Sequence, residues 1–549
     1  LTLLNPRILE PDSQMKKETR NNLILFFISI VISLLFAEIA LRVFMNYRQR
    51  YFIVKEQNGN LYYASNPNCR NILQGQYFFK NKPKGTYRIF TFGGSTTEGS
   101  IHQGKVSFTK FLEWKLKNLL PSENIEVINF GKAGEASRQV LEKIKVVLKY
   151  DPDLFIVYSA HNEFIRFFDK RTVNNVGWIE DILEKFYLYK KILKRFLGKF
   201  IDQTPLHLIE TRRLEDKLIC SPEEYEEVRK EYKRNIEEIV RISRDSKVDI
   251  ILSSEVGNYK GWEPNRSFHG NNLSDSELKK WRYHFTRGRE FQENGEFELA
   301  VKEFELSKKI DGAFAELNYQ LAKCYEHLGL FEKAKKEYLN AVDNDGDPKV
   351  ASSFFNKTIM ETCQNYQIPC VDVIGAFERA SENSLIGYNI MVDGQHPSLF
   401  GELLIAKEII KVIAENSLPK PAQQWSFEND KSDEWYMAKP DVKNADNVLY
   451  HQNRGLWFAK LATMRYDPRD RLQRARYHFD RAHEIDPDSF RTYIGYAVLN
   501  LLEGKSSEAI FNIQKACEIN PLETTKVRRD IWISSLLFRS HIRVSEECR

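Results

Sequence analysis

"YRIFTFGGSTTEGS" (87–100) joins an apolar, aromatic and β-branched run to two glycines, a serine and two threonines. Such a run reads as a buried strand, and Gly93-Gly94-Ser95-Thr96 as the turn that ends it. Runs of the same kind recur as "IEVINF" (125–130), "LFIVYSA" (154–160), "VDIILSS" (248–254) and "CVDVI" (370–374). Between them "SFTKFLEWKLKNLL" (107–120) and "SRQVLEKIKVVLKY" (137–150) space their apolar residues as helices do. Continuous apolar runs alternating with amphipathic helices predict an α/β domain whose parallel sheet is covered on both faces. In open sheets of this class ligands bind at the carboxyl ends of the strands. Ser95 belongs at such an end, either as a turn residue or as a nucleophile.

A nucleophilic serine needs a base, an acid that orients it, and donors for an oxyanion. The segment is no phosphate loop, because no Lys follows in the Gly-Lys-Ser/Thr arrangement. The second strand runs into "NFGKAGEAS" (129–137), a glycine-bearing loop before a helix, where free backbone N–H groups face outward. The third runs into "YSAHNEF" (158–164), which puts the neutral donor Asn162 at the same edge. After the last strand, "VDGQHPSLFGELLIAKEIIKVI" (392–413) sets Asp393 three residues before His396 and just ahead of a helix. One short turn can then hold Asp393 on the imidazole Nδ1–H while Nε2 faces the serine. Taken singly, each motif also has a plain structural reading: a tight turn, a turn-forming Asn, or a cap beside a buried histidine.

Together and in this order, the motifs resemble those of the SGNH (GDSL-like) hydrolase family. The resemblance places the nucleophile on Ser95 in "GGST", an oxyanion glycine on Gly134 in "GKAGEAS", an oxyanion asparagine on Asn162 in "AHNE", and acid and base on Asp393 and His396 in "DGQHPS". It implies a flavodoxin-like three-layer hydrolase domain that acts on esters without metal or cofactor. The oxyanion hole would comprise the backbone N–H groups of Ser95 and Gly134 with the Asn162 amide. It covers roughly 85–165, 246–265 and 350–416. Two departures mark a divergent branch: the family's commonest first block has Asp where Gly94 stands, and its third often reads Gly-x-Asn-Asp where this chain has Ala160, His161, Asn162 and Glu163. His161, beside the proposed donor, either contacts substrate or organises the loop.

Outside this domain, Leu23–Leu41 carries a single charge, Glu38, and at 1.5 Å per residue is roughly 28 Å long, close to the hydrocarbon thickness. A transmembrane helix is expected at 23–44 after an N-terminal tail (1–22). The first Met is Met15, so residues 1–14 are expected to precede the true start. A cleaved signal peptide is the alternative, with Lys16, Lys17 and Arg20 as its n-region, but Ala37 and Ala40 lack the spacing of an A-x-A site. Flanking charge leaves the orientation open, because Arg42, Arg48 and Arg50 answer the basic residues in front.

A linker (45–85) leads to the hydrolase domain, expected as 86–270 and 349–418 with a helical insertion at about 165–245. Within that insertion, 178–200 has the spacing of a basic amphipathic helix, suited to a membrane surface or to packing with a solvated face. A second insertion (271–348) repeats itself. Gly288, Phe291, Gly295, Ala300, Phe304, Ser307 and Gly312 recur 34 residues later as Ala322, Tyr325, Gly329, Ala334, Tyr338, Ala341 and Gly346. After a second linker (419–450) the period returns at 451–549, where Ala475, Phe479, Ala482 and Pro487 map onto Ala509, Ile513, Ala516 and Pro521. These segments resemble tetratricopeptide repeats, which pair helices through small residues and aromatics.

With 81 basic and 76 acidic side chains, the net charge of +5 offers no argument for a nucleic-acid partner. The seven cysteines form no CxxC pair and are too sparse for a disulfide scaffold or zinc ribbon. The eleven histidines show no HExxH or paired ligand spacing, so no metal is expected. The leading expectation is a single-pass membrane protein whose catalytic domain, on the extracytoplasmic side, removes acetyl or acyl groups from an envelope glycan or lipid. An O-acyltransferase with the same triad is the near alternative. A scaffold whose repeats bind protein partners around an inactive hydrolase domain is the distant one.

Overall fold

The computed structural model of the protein describes residues 51–165, 221–270, 273–463, 468–526, 531–540 and 542–548, with scattered positions between 22 and 39. The chain divides into two compact units. Leu1–Ile53, Ser65–Gln74 and Lys170–Arg212 form one; Val54–Ala64, Gly75–Asp169 and Arg213–Arg549 form the other. In the first, 32–39 is helical, and the Gln74 amide donates to the carbonyls of Asn66 and Cys69 at 3.2 and 3.0 Å, closing a compact turn. Among the described residues no helix is long and apolar enough to cross a membrane. The expected span at 23–44 is described only at scattered positions. The tail 1–14 and the basic amphipathic stretch 178–200 lie outside the described residues.

In the second unit the expected first linker proves to be structured. It holds β1 (Phe52–Gln57, at the unit boundary), β2 (Asn60–Ser65) and β3 (Tyr77–Phe79), a three-stranded sheet in that order. Arg88 explains why: fully buried, it reaches the Phe79 carbonyl at 2.8 Å and Glu126 at 2.6 Å, tying β3 to the main sheet. A buried guanidinium left without these partners would be costly, so the segment is held in place.

The main sheet comprises β4 (Thr86–Gly93), β5 (Asn124–Asn129), β6 (Leu154–Tyr158), β7 (Asp249–Ser253) and β8 (Cys370–Val371), in the order β5-β4-β6-β7-β8 with every pairing parallel. Counting within the sheet, this is the 2-1-3-4-5 order of flavodoxin-like folds, whose ligand crevice opens beside the first strand. β6 is buried along its whole length, as a central parallel strand must be. β8 is shorter than expected because Asp372 caps the next helix, Val373–Arg379, its side chain accepting from Gly375 N at 3.0 Å. One face is covered by Phe108–Leu119 and Leu399–Glu415, the other by Ser137–Val147, Pro222–Asp245 and Ser353–Tyr366. Pro222–Asp245 is therefore the crossover helix from β6 to β7 rather than part of an insertion. Its start is set by Ser221, whose side chain accepts from Glu224 N in a capping box.

The inserted repeats form two helix pairs, Asp275–Glu293 with Phe297–Ile310 and Ala315–His327 with Phe331–Asp343. A Cβ at Gly288 would fall 2.6 Å from the Phe304 ring, so only glycine lets these two helices approach so closely. The C-terminal repeats follow the same plan in Val448–Ala462, Arg469–Ile485, Phe490–Leu502 and Ser506–Ile519, with the Phe479 ring wedged against Gly455 and Gly495. A disulfide joins Cys517 to Cys548. The expected second linker is also packed: Tyr436 is fully buried, and Lys115 on helix Phe108–Leu119 pairs with Asp430 at 2.7 Å. That strap leads the chain back across the hydrolase domain before the C-terminal repeats begin.

Candidate active site

β4 ends at Gly93, where a Cβ would come 2.0 Å from the Tyr158 carbonyl of β6. The strand therefore passes into its turn hard against its neighbour, and Ser95 opens the short helix Ser95–Glu98 at the carboxyl edge. From the other end of the domain, the loop 392–398 folds back so that Val392 N donates to the His396 carbonyl at 2.8 Å. Asp393 Oδ1 accepts from the backbone N–H of both Gln395 and His396, each at 2.8 Å. This closed turn presents the imidazole: His396 Nδ1 lies 2.9 and 2.8 Å from the two Asp393 oxygens, and Nε2 lies 2.6 Å from Ser95 Oγ. Ser95 is half-buried and Asp393 almost wholly buried. Burial by itself would raise the Asp393 carboxyl, but His396 and Arg454 beside it, with the turn's N–H donors, hold it well below the usual carboxylate range.

The loops after β5 and β6 come to the same place. A Cβ at Gly94 would fall 2.5 Å from Asn162 Nδ2 and 3.5 Å from the Glu135 carbonyl. A side chain at Gly94 would therefore crowd the Asn162 amide. Asn162 Nδ2 donates to the Glu135 carbonyl at 3.0 Å. Gly134 has φ +79°, the left-handed region that favours glycine, and shapes that loop. Ser95, Gly134 and Asn162 are thereby gathered around the ends of β4, β5 and β6.

Both ring nitrogens of His161 are engaged with backbone groups, which fits a residue that organises the loop better than one that contacts substrate. Its Nδ1 accepts from Ala351 N at 2.9 Å, and its Nε2 donates to the Val256 carbonyl at 3.1 Å. Burial, with the nearby His396 acting in the same direction, lowers its pKa to about 3 and keeps the ring neutral. The imidazole instead joins three loops beneath the site.

Several supporting residues, all but one without a signal in the sequence, hold these loops. Glu255, after β7, accepts from the N–H groups of Ala160 and His161, anchoring the Asn162 loop, and burial pushes its carboxyl up to about 7. Glu98 pairs with Lys132 and accepts from Ala133 N at 2.8 Å, fastening the Gly134 loop to the serine helix. Asn129 donates to the Thr97 carbonyl at 2.5 Å. Glu163 accepts from Ser137 N and Oγ, both at 2.8 Å, capping helix Ser137–Val147. Its position after Asn162 was a signal of a kind, being an acid where the resemblance has Asp. Arg454, from the C-terminal repeats, donates to Asp393 Oδ2 at 2.6 Å.

Burial pushes Glu163 up to about 8. An acid raised in the folded state stays protonated while its unfolded counterpart ionises, so stability is lost as pH rises from about 4.5 through 8. Glu163→Gln is expected to remove this dependence, at most about 1.4 kcal/mol per pH unit across that window. Chemical denaturation at pH 5 and pH 8 checks it: the variant should lose less than the wild type on going to pH 8, and an equal loss would contradict a neutral Glu163.

Residues 89–275 match the family described as GDSL-like Lipase/Acylhydrolase, and residues 315–348 match the Tetratricopeptide repeat. The chain is thus a hydrolase acting on esters, with a GDSL-like acylhydrolase domain and a helical repeat region. Ser95, Gly134 and Asn162 fall inside the matched residues, and Asp393 and His396 beyond them. No curated protein matches the chain in sequence. Among solved structures, it is similar to an alpha/beta hydrolase enzyme from the metagenome of Lake Arreo, Spain, at 12% identity over 59% of this chain and 94% of that one (TM-score 0.29). An acetylxylan esterase from Geobacillus stearothermophilus is similar at 12% identity over 60% and 94% (TM-score 0.29). A GDSL-like lipase from Bacteroides thetaiotaomicron is similar at 12% identity over 62% and 93% (TM-score 0.28).

Proposed function

We propose that the protein is a membrane-anchored serine esterase that removes acetyl or acyl groups from an envelope glycan or lipid. Ser95 is its nucleophile, His396 its general base and Asp393 the acid that orients the base. The observation that carries this reading is the continuous chain Ser95 Oγ, His396 Nε2, His396 Nδ1, Asp393 Oδ2, with a 2.6 Å link between residues 301 positions apart and a 2.8 Å link within the turn. Ser95 Oγ attacks the ester carbonyl as its proton passes to His396 Nε2, and Asp393 stabilises the imidazolium. The oxyanion is held by the N–H groups of Ser95 and Gly134 and by the Asn162 amide, whose two N–H donors serve the Glu135 carbonyl and the oxyanion. His396 then returns the proton to the departing alcohol, and water, activated by the same imidazole, releases the acyl group. A chain so complete argues against an inactive platform.

The anchor rests on the length and apolar character of Leu23–Leu41 and on the outward-facing Leu25, Phe26, Leu34, Leu35, Phe36 and Ile39. Extracytoplasmic placement is supported by the Cys517–Cys548 disulfide, since such bonds persist in oxidising compartments. The repeats are read as the site of a protein partner. A serine-directed phosphonate given to the solubilised full chain, with p-nitrophenyl acetate as substrate, tests the chemistry. Turnover and a covalent label on Ser95 are expected; neither turnover nor label would sink the reading. A supplied polysaccharide that takes the acyl group faster than water does would turn the assignment to acyl transfer. Retention of the chain in carbonate-washed membranes tests the anchor, and its release into the wash would refute it.

A further inference from the structure

The turn that carries Asp393 and His396 is held on one side by residues outside the hydrolase domain. Arg454 lies on Val448–Ala462, the first helix of the C-terminal repeats. Its ion pair with Asp393 Oδ2, at 2.6 Å, is nearly removed from water, the two side chains being 12% and 2% exposed. The guanidinium is seated over the Trp457 ring, 4.1 Å from its centroid. Trp457 stacks on Trp262 with centroids 5.6 Å apart, and Trp262 fills the space beside Gly394, where a Cβ would come 2.6 Å from the indole. Arg471, on the next repeat helix, lies 3.3 Å from the centroid of the other rings' neighbour, Trp262, and pairs with Glu263 at 3.3 Å. The repeats thus pack against the inner side of the Asp393–His396 turn and place one charged group on the acid itself.

We propose that Arg454 is a positioning residue for the reaction, holding the Asp393 carboxylate in the orientation that receives His396 Nδ1–H, so that the C-terminal repeats complete the catalytic centre. This rests on the Ser95-His396-Asp393 reading. The turn's two N–H donors hold Asp393 through Oδ1, whereas the guanidinium fixes Oδ2, the second oxygen that the imidazole meets. The same cation opposes the positive charge that forms on the imidazole. Its removal leaves that charge less opposed, which moves the acid limb of the activity profile upward. The other groups that act electrostatically on this pair or feel it, namely His102, His161, Glu255, Tyr388, Tyr450 and His478, remain in every variant. A displaced pH profile accordingly reports the lost cation.

The experiment uses the full chain, a short-chain acyl ester, and the variants Arg454→Ala, Arg454→Lys and Ser95→Ala, with circular dichroism and thermal melting as controls for folding. Arg454→Ala is expected to lower kcat by about 10- to 100-fold with KM little changed, the scale of a misplaced catalytic group. The acid limb of kcat/KM should move up by about half a pH unit or more. Lysine should restore part of kcat, and millimolar guanidinium should restore part of it in the alanine variant. Unchanged kcat and an unchanged profile in Arg454→Ala would overturn the proposal. So would lost turnover with no displaced limb and no recovery by lysine or guanidinium, which would mark a role in folding alone. Turnover that survives in Ser95→Ala would instead remove the triad reading on which the proposal stands.

Discussion

Ser95→Ala is expected to lower turnover of a short-chain acyl ester by on the order of 10⁴- to 10⁶-fold while leaving thermal unfolding within a degree or two of the wild type. The size follows from the chemistry. Without Oγ there is no acyl-enzyme, and only the oxyanion donors and binding remain to help water attack directly. The small effect on stability follows from the position: Ser95 is half-buried at the start of a short helix, and its Oγ hydrogen bond is to His396, which keeps its Asp393 partner. Steady-state kinetics on the purified variant, with loss of phosphonate labelling, is the check. A fall of less than about a hundredfold would mean that another group attacks, since a triad serine is not dispensable.

Asn162→Ala is expected to cost 100- to 1,000-fold in kcat, about 2.7–4 kcal/mol of barrier, the measured scale for one side-chain oxyanion donor. The geometry adds a discriminating feature. The amide is bonded to the Glu135 carbonyl at 3.0 Å and hard against Gly94, so it supports the Gly134 loop as well as facing the site. If the donor role dominates, kcat falls and KM barely moves, because the interaction strengthens only as charge develops on the carbonyl oxygen. If loop support dominates, KM rises with it and the melting temperature drops. Loss below tenfold in kcat would remove Asn162 from the oxyanion hole.

Much of the hydrolase domain was legible because its signals are local. Each strand of the main sheet is a contiguous apolar run, and each helix on its faces carries its own 3.6-residue spacing. The shortening of β8 at Asp372 shows the limit of that reading: a capping side chain outcompeted the apolar pattern. The segments 45–85 and 419–450 show another. Neither has a periodic apolar face, and what orders them is the burial of Arg88 against Phe79 and of Tyr436 beside Asp430. Those partners are brought together only when the sheet has formed.

The amino-acid sequence by itself determined the parallel α/β class and the helical repeats, and it offered Ser95, Asn162, Asp393 and His396 as candidates through a resemblance carried by their motifs, because strand composition, a 34-residue period and the three-residue spacing of Asp393 and His396 are all short-range properties. The tertiary structure alone decided that His161 is spent on backbone groups, that Glu255 and Glu163 hold the Asn162 loop and cap the helix beside it, and that Arg454 reaches Asp393 from the repeats. Those contacts join residues far apart in the chain. No spacing encodes them, and they exist only because packing buries a charge or a polar group and then requires a partner for it.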